Sequence, residues 1–322
     1  MSHLVLNEAS AQHIRSNPAP IILTGGGGWL GRAALEMLGG IFENALSEQV
    51  FVYGSSPGVL TLRSGRQIAS RPLAQLAELS CAPALFLHFA FMTRDRVAEM
   101  PREEFIAGNR AISKIVEDAV RRIGARGFFL PSSGAVYRKD RSIDDDMEHN
   151  PYGVLKYQDE LKFRNIFKDT GTPLAIGRIF NLAGPFVNKL NTYALSSIIT
   201  QLQRGAPIEI RAAHKVIRSY VHVGDVLDIA FSCLTAPQNE NLTVCFDTRG
   251  DEAVELGELA LRAAKLLGRP NCKIVRPPLD DARVDAYLGD GASFAKLLDT
   301  YGIWSKPLDR QILDTASFLA QQ

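Results

Sequence analysis

An apolar run that hands over to a helical pattern through four consecutive glycines, PIILTGGGGWLGRAALEML at residues 20–38, constrains this chain more than any other stretch. Glycine gives up more backbone freedom on folding than any other residue. Such a run therefore serves a turn with left-handed angles or the close approach of something bound. The alternation then continues downstream. Short apolar runs at 50–54, 84–90, 127–133 and 173–181 read as buried strands, and helical patterns occupy 103–124 and 152–167. Strands alternating with helices predict an α/β fold, a doubly wound parallel sheet covered on both faces. Beyond 185 the rhythm loosens into a helical stretch at 192–205, a strand at 207–211, one more sheet strand at 243–248 and a helix at 254–268. The expected division is a core at 18–184 and a smaller C-terminal substrate-binding lobe at 185–322, with 219–248 returning to the core.

The 322 residues, 46% of them hydrophobic, suffice for one large core with a lobe attached. Lysine and arginine number 36 against 35 aspartates and glutamates, so the formal net charge of +1 gives no electrostatic reason to expect nucleic acid as a partner. Cys81, Cys233, Cys245 and Cys272 lie far apart with no CxxC spacing, which argues against a metal site or a disulfide framework and for thiols in a reducing compartment. No apolar run approaches a membrane span, so no membrane partner is expected. The opening MSHLVLNEASAQHIRSN lacks the basic end and apolar stretch of a secretory signal. These features predict a cytoplasmic protein with a short polar or helical leader.

Within the glycine run, Gly25, Gly28 and Gly31 are spaced G-x-x-G-x-x-G. A tight turn frees backbone N–H groups, a bare backbone lets a pyrophosphate approach, and the following helix N-terminus adds partial positive charge. A merely flexible turn is the alternative, but the strand before and the helix after supply the context a dinucleotide cradle requires. Thr24 to Gly31 resembles the T-G-x-x-G-x-x-G opening of the extended short-chain dehydrogenase/reductase family, in particular its nucleotide-sugar epimerase and reductase branch. The resemblance spans residues 20–264. It implies a Rossmann-type core that holds a nicotinamide dinucleotide with Thr24, Gly25, Gly28, Trp29, Leu30 and Gly31; Trp29 could equally pack over the loop.

PYGVLKYQDE at 151–160 sets Tyr152 and Lys156 four apart at the start of a helix, so both side chains project from one face. A tyrosine hydroxyl, with its ordinary pKa of about 10, exchanges protons poorly near neutrality. A lysine ammonium beside it favours the phenolate and lowers that value. On its own the spacing fits a surface tyrosine beside a solvated lysine; the strand-end LPSSGAVY at 130–137 changes the balance. By resemblance Ser133 matches the family's catalytic hydroxyl and Ser132 the residue before it. The implied triad is Ser133, Tyr152 and Lys156. Tyr152 would be the general acid/base for hydride transfer at a secondary alcohol or ketone, Ser133 would donate to the substrate oxygen, and Lys156 would also hold the nicotinamide ribose.

Further matches to the family are shorter. In HFA, His88 and Ala90 resemble the strand end beside the cofactor, with a core histidine as the alternative. Asn109 resembles an asparagine on the cofactor side of a helix, with a helix-surface amide as the alternative. GRIFNLAGP implies that Asn181 contacts substrate or nicotinamide and that Arg178 supports it. IRSYVHVGDV implies that Arg218 meets the diphosphate of a sugar nucleotide, although a surface arginine beside a buried strand reads equally well.

The pattern also departs from the family. NAD-selective members grip the adenosine ribose with a carboxylate after the second strand, whereas no acidic residue occurs from 51 to 71. Ser55, Ser56, Arg63 and Arg66 stand there, and hydroxyls and guanidinium groups suit a 2′-phosphate. NADP(H) is therefore the favoured cofactor and NAD(H) the alternative, unless the arginines sit on a hairpin pointing away. ASRPLAQL replaces the stretch that carries the family's adenine-contacting aspartate, and Ser219 stands where an aspartate is common. SSGAVY lacks the adjacent Asp-Glu pair of sugar-nucleotide dehydratases, which argues against 4,6-dehydration. The expected function is NADPH-dependent reduction of a keto group on a nucleotide-linked deoxysugar. The alternatives are a nucleotide-sugar 4-epimerase using the same residues, a reductase of a non-sugar carbonyl compound, and a cofactor-binding redox sensor without turnover. The family also implies a homodimer formed through the helices at 103–124 and 152–167.

Overall fold

The computed structural model describes residues 4–236 and 243–322. They form two compact units, with strands and helices labelled in chain order. The first comprises Leu4–Arg178 and Leu227–Phe246. Its sheet contains β1 (Ile21–Thr24), β2 (Val50–Gly54), β3 (Gly58–Thr61), β4 (Gln67–Pro72), β5 (Ala84–His88), β6 (Ala125–Ser133), β7 (Leu174–Ile179) and β12 (Thr243–Asp247) in the order β12-β7-β6-β5-β1-β2-β4-β3. Pairing is parallel from β4 across β2, β1 and β5 to β6. The chain winds outward from β1 to one edge and then crosses back to β5, so the strand order reverses between β1 and β5. In such sheets ligands bind outside the carboxyl ends of the strands at that reversal.

Helices α1 (Glu8–Ser16), α2 (Trp29–Phe42), α3 (Leu46–Gln49), α4 (Arg102–Ile123) and α5 (Pro151–Phe167) belong to this unit. In α4 the apolar Phe105, Val116, Val120 and Ile123 recur on one buried face. Glu103 and Glu104 open the helix, Arg121 and Arg122 close it, both favourably placed for its dipole, and Gly124 ends it at a φ of 84°. Phe86, Phe128 and Phe163 lie fully buried in the core, with Phe128 and Phe163 stacked 4.4 Å apart. The leader is part of the unit: the Asn7 amide donates to Asp228 Oδ1 at 2.7 Å and to Ser232 Oγ at 2.7 Å, which pins α1 to α7 (Val223–Thr235).

A hairpin fills the stretch between β2 and β5. The strand β3 runs antiparallel to β4, pairing Gly58 with Ser70 and Thr61 with Gln67. Because β4 is parallel to β2, the turn at 62–66 sits at the amino end of the sheet, opposite the cradle.

The second unit comprises Ile179–Val226 and Asp247–Gln322, so the contact boundary falls at 178/179 and the returning stretch begins within α7. It holds three small sheets. β8 (Leu182–Ala183) pairs with β11 (Val221–His222), and β9 (Ile208–Glu209) pairs with β14 (Ile274–Val275). The third has the order β13-β10-β15, from β13 (Val254–Glu255), β10 (His214–Arg218) and β15 (Asp280–Tyr287). Its helices are α6 (Ala194–Gln203), α8 (Leu256–Leu266), α9 (Ala292–Thr300) and α10 (Leu308–Leu319). Glu255 caps α8 in a reciprocal capping box with Glu258 and pairs with Arg276 at 2.9 Å. None of the four cysteines is in a disulfide. Among the described residues no helix is long and apolar enough to cross a membrane.

Candidate active site

The glycine run forms the turn between β1 and α2. Gly25 has a φ of 75°, and a Cβ there would lie 2.6 Å from the Ala90 nitrogen, so the end of β5 passes directly against its backbone. A Cβ at Gly31 would lie 2.3 Å from the Gly25 carbonyl oxygen, which lets the first turn of α2 close onto the loop. Gly28 is the N-cap of α2 and supplies no side-chain cap, and the first turn carries no acidic residue. The turn thus combines bare backbone, helix N–H groups lacking a side-chain cap, and no competing carboxylate. A pyrophosphate fits such a cradle. Trp29 is buried at the start of the helix and Leu30 is half-buried beside it.

The Thr24 hydroxyl ties the cradle to β5. Its oxygen accepts from the Ala90 N–H at 3.2 Å and lies 2.8 Å from His88 Nδ1. Burial first, then the charges of Lys156 and Lys162, push the His88 imidazole down to about 3, so the ring is neutral and belongs to the packed interior. Asn109 is buried as well. Its Oδ1 accepts from the Met92 N–H at 2.8 Å, and its amide donates to the Phe105 carbonyl at 3.2 Å and the Met92 carbonyl at 3.4 Å. It clamps the segment after β5 onto α4 and is not a helix-surface amide.

Ser133 ends β6. Its Oγ accepts from the Ala135 N–H at 3.1 Å, which leaves the hydroxyl proton for a further acceptor. Ser132 points the other way, donating to buried Glu160 Oε1 at 2.5 Å. The geometry therefore distinguishes two adjacent serines that the sequence could separate only by alignment. Helix α5 starts with Asn150 as N-cap and Pro151 in its first turn. The Asn150 side chain accepts from Gly153 N–H at 3.1 Å and donates to the Ala135 carbonyl at 2.8 Å. A Cβ on Gly153 would fall 2.0 Å from that carbonyl oxygen. This close approach seats the start of α5, with Tyr152, on the turn that follows Ser133.

Lys156 lies one turn further along α5 and is buried. Its ammonium donates to the Pro131 carbonyl at 2.9 Å and sits 3.8 Å from the centroid of the Phe91 ring. Burial pushes this lysine down to about 8, against the opposing pull of Asp159 and then Glu160. Behind it, Glu160 is fully buried and takes the Arg178 guanidinium at 2.6 Å, while Arg178 also donates to the Tyr137 hydroxyl. Burial opposes the arginine cation, but the bonds and charge of Glu160 outweigh it and hold Arg178 above its ordinary range. Reading the sequence supplied Arg178 as a support but gave Glu160 no role. An acid one turn beyond Lys156 is a signal that could have found it.

Not every anticipated residue reaches this cluster. Arg63, in the hairpin turn, bonds through its backbone N–H to Glu36 Oε1 at 2.7 Å, and Arg66 donates to the Gly39 carbonyl at 3.0 Å. Both therefore lie at the amino end of the sheet, beside the body of α2, and not at the cradle. Ser55 and Ser56 are exposed just after β2, at the carboxyl end. In the second unit, the Asn181 amide donates to the Ser219 carbonyl at 3.1 Å and the Tyr287 carbonyl at 3.3 Å. Arg218 donates to the Ile217 and Asp285 carbonyls, each at 2.9 Å, and pairs with the Asp285 carboxylate at 2.8 Å.

The fold recurs among known proteins. The solved structures with the same fold include a UDP-glucose 4-epimerase at 15% identity and a TM-score of 0.73, covering 94% of this chain and 98% of that one. The UDP-glucose 4-epimerase of Thermus thermophilus, solved with NAD, is 17% identical with a TM-score of 0.69, covering 94% and 99%. The UDP-N-acetylglucosamine 4-epimerase of Methanobrevibacter ruminantium, solved with UDP-N-acetylmuramic acid, is 16% identical with a TM-score of 0.69, again covering 94% and 99%. No curated protein sequence matches the chain. The family model for NAD dependent epimerase/dehydratase proteins matches residues 21–245, a span that contains the cradle, Ser133, Tyr152 and Lys156. On that match the chain belongs to the NAD dependent epimerase/dehydratase family and is an NAD(P)-dependent enzyme of the extended short-chain dehydrogenase type.

Proposed function

We propose that the protein is a nucleotide-sugar 4-epimerase in which Ser133, Tyr152 and Lys156 perform the proton chemistry. The observation that carries this reading is the seating of α5 on the Ser133 turn, which sets Tyr152 one helical turn from a dry ammonium beside the carboxyl ends of β5 and β6. When bound, NAD(P) supplies the acceptor and donor of the hydride. Tyr152 takes the proton of the sugar hydroxyl as its carbon is oxidised and returns it on reduction from the other face. The Lys156 ammonium favours the phenolate that takes the proton before oxidation and that forms again after reduction, and the Ser133 hydroxyl donates to the sugar oxygen throughout. Asn181 and Arg218 are the substrate-side residues of this proposal. Exchange of their carbonyl and Asp285 bonds for a nucleotide diphosphate is what it asks of them.

A specific observation favours a second reading, NADPH-dependent reduction of a ketosugar. No carboxylate directly follows β2, where Ser55 and Ser56 are exposed, and Arg71, in register with Tyr53 of β2, lies one residue before the carboxyl end of β4. That end suits a 2′-phosphate even though Arg63 and Arg66 do not reach it. The two readings separate on stoichiometry. Incubation with UDP-sugars and a trace of NAD or NADP, followed by NMR, yields 4-epimers without net cofactor change for an epimerase, whereas a reductase consumes NADPH with a ketosugar. A homodimer through α4 and α5 is part of the proposal, supported by Leu161, half-exposed on α5. Light scattering of the purified protein tests it.

A further inference from the structure

Phe91 directly follows the HFA end of β5, and its neighbour Met92 is held at both backbone polar atoms by buried Asn109, at 2.8 and 3.4 Å. Its half-buried ring therefore has a fixed seat. Lys156 Nζ lies 3.8 Å from the centre of that ring, and the Tyr152 ring meets it at 5.7 Å with an interplanar angle of 85°. One aromatic side chain thus touches both residues assigned to the proton chemistry. A buried ammonium is unfavourable unless partial negative charge surrounds it. The Pro131 carbonyl supplies some, and the face of an aromatic ring supplies more through its quadrupole.

We propose that Phe91 is a positioning residue that holds the Lys156 ammonium against its ring face and fixes the Tyr152 ring alongside, so that the pair keeps one relative geometry. This rests on the roles given above to Tyr152 and Lys156. The other titratable or charged groups around the ammonium are Asp159 and Glu160 on its own helix, with Arg178 of β7 paired to Glu160, and His88 at the end of β5. His88 is neutral, and both acids favour the cation. Against them burial brings Lys156 down to about 8, close enough to neutrality that a modest aromatic contribution decides how much of the amine is charged.

The test is an NMR titration of the Lys156 side-chain nitrogen in cofactor-free protein, assigned by its loss in Lys156→Arg. In Phe91→Leu, which keeps the site dry but removes the π face, the midpoint should fall by about 0.5–1.5 pH units. In Phe91→Tyr, which restores the face, it should stay within about 0.3 pH units of the wild type, well inside the shift expected from losing the ring. Should Phe91→Leu not fold, Phe91→Met carries the same expectation as Leu. An unchanged or raised midpoint in the aliphatic variant overturns the proposal, as does an equal fall in Phe91→Tyr. Because no substrate or cofactor is present, this outcome is independent of the epimerase reading, which stands or falls on turnover by Tyr152→Phe.

Discussion

Buried ionisable side chains do two different jobs around this site. His88 is neutral because burial and two lysine charges make its cation unfavourable. Its folded pKa of about 3 lies below its ordinary value of 6.5, so between those values the unfolded chain binds more protons than the folded one. Stability is therefore complete above pH 6.5 and falls as the pH drops toward 3. His88→Asn should flatten the acid limb of a stability-against-pH curve, measured by urea unfolding, by up to about 1.4 kcal/mol per pH unit. An unaltered slope would mean that the ring titrates normally. Glu160 works through its bonds, since Arg178 and Ser132 between them fill its oxygens. Glu160→Gln strands a half-buried guanidinium and should cost about 3–5 kcal/mol, with much of the loss recovered in the double variant Glu160→Leu, Arg178→Met. A single variant losing under about 1 kcal/mol would place the pair in effectively solvated surroundings, as for an exposed ion pair.

Among the elements, the decisive contact is α5 on the turn after β6. The missing Cβ of Gly153 allows the approach to Ala135, so Gly153→Ala must push the first turn of α5 outward and carry Tyr152 with it. A displacement of about 1 Å can cost about a hundredfold in rate, so turnover should fall by roughly that factor while circular dichroism remains native. Retention of full activity would mean that the turn yields without moving Tyr152. The cradle, the Ser133 strand end and the Tyr152–Lys156 spacing were all legible in the sequence because each is local, a matter of a few neighbouring residues with fixed periodicity. Arg63 and Arg66 misled for the opposite reason. Their place follows from β3 reversing direction against β4, a register that composition does not encode, and this carries both residues to the amino end of the sheet. Glu160 with Arg178, and Phe91 with Lys156, are contacts across 18 and 65 residues of chain, so nothing in their immediate neighbours announces them.

At the scale of the molecule, the winding of one sheet gathers this chemistry. The order reverses between β1 and β5, and the cradle, His88, Ser133 and the start of α5 all collect at the carboxyl ends of neighbouring strands. In the second unit, Asn181 and Arg218 make hydrogen bonds within that unit, so sugar and base preferences are matters for binding experiments with nucleotide diphosphates. Whether Tyr152 moves the proton in nicotinamide-dependent oxidation and reduction of a nucleotide sugar is decided by one comparison. The interconversion of UDP-sugar 4-epimers should be followed by NMR for the wild type and Tyr152→Phe at equal bound cofactor. Conversion should be at least about a hundredfold slower in the variant, with cofactor affinity unchanged. Equal rates in the two proteins would contradict it.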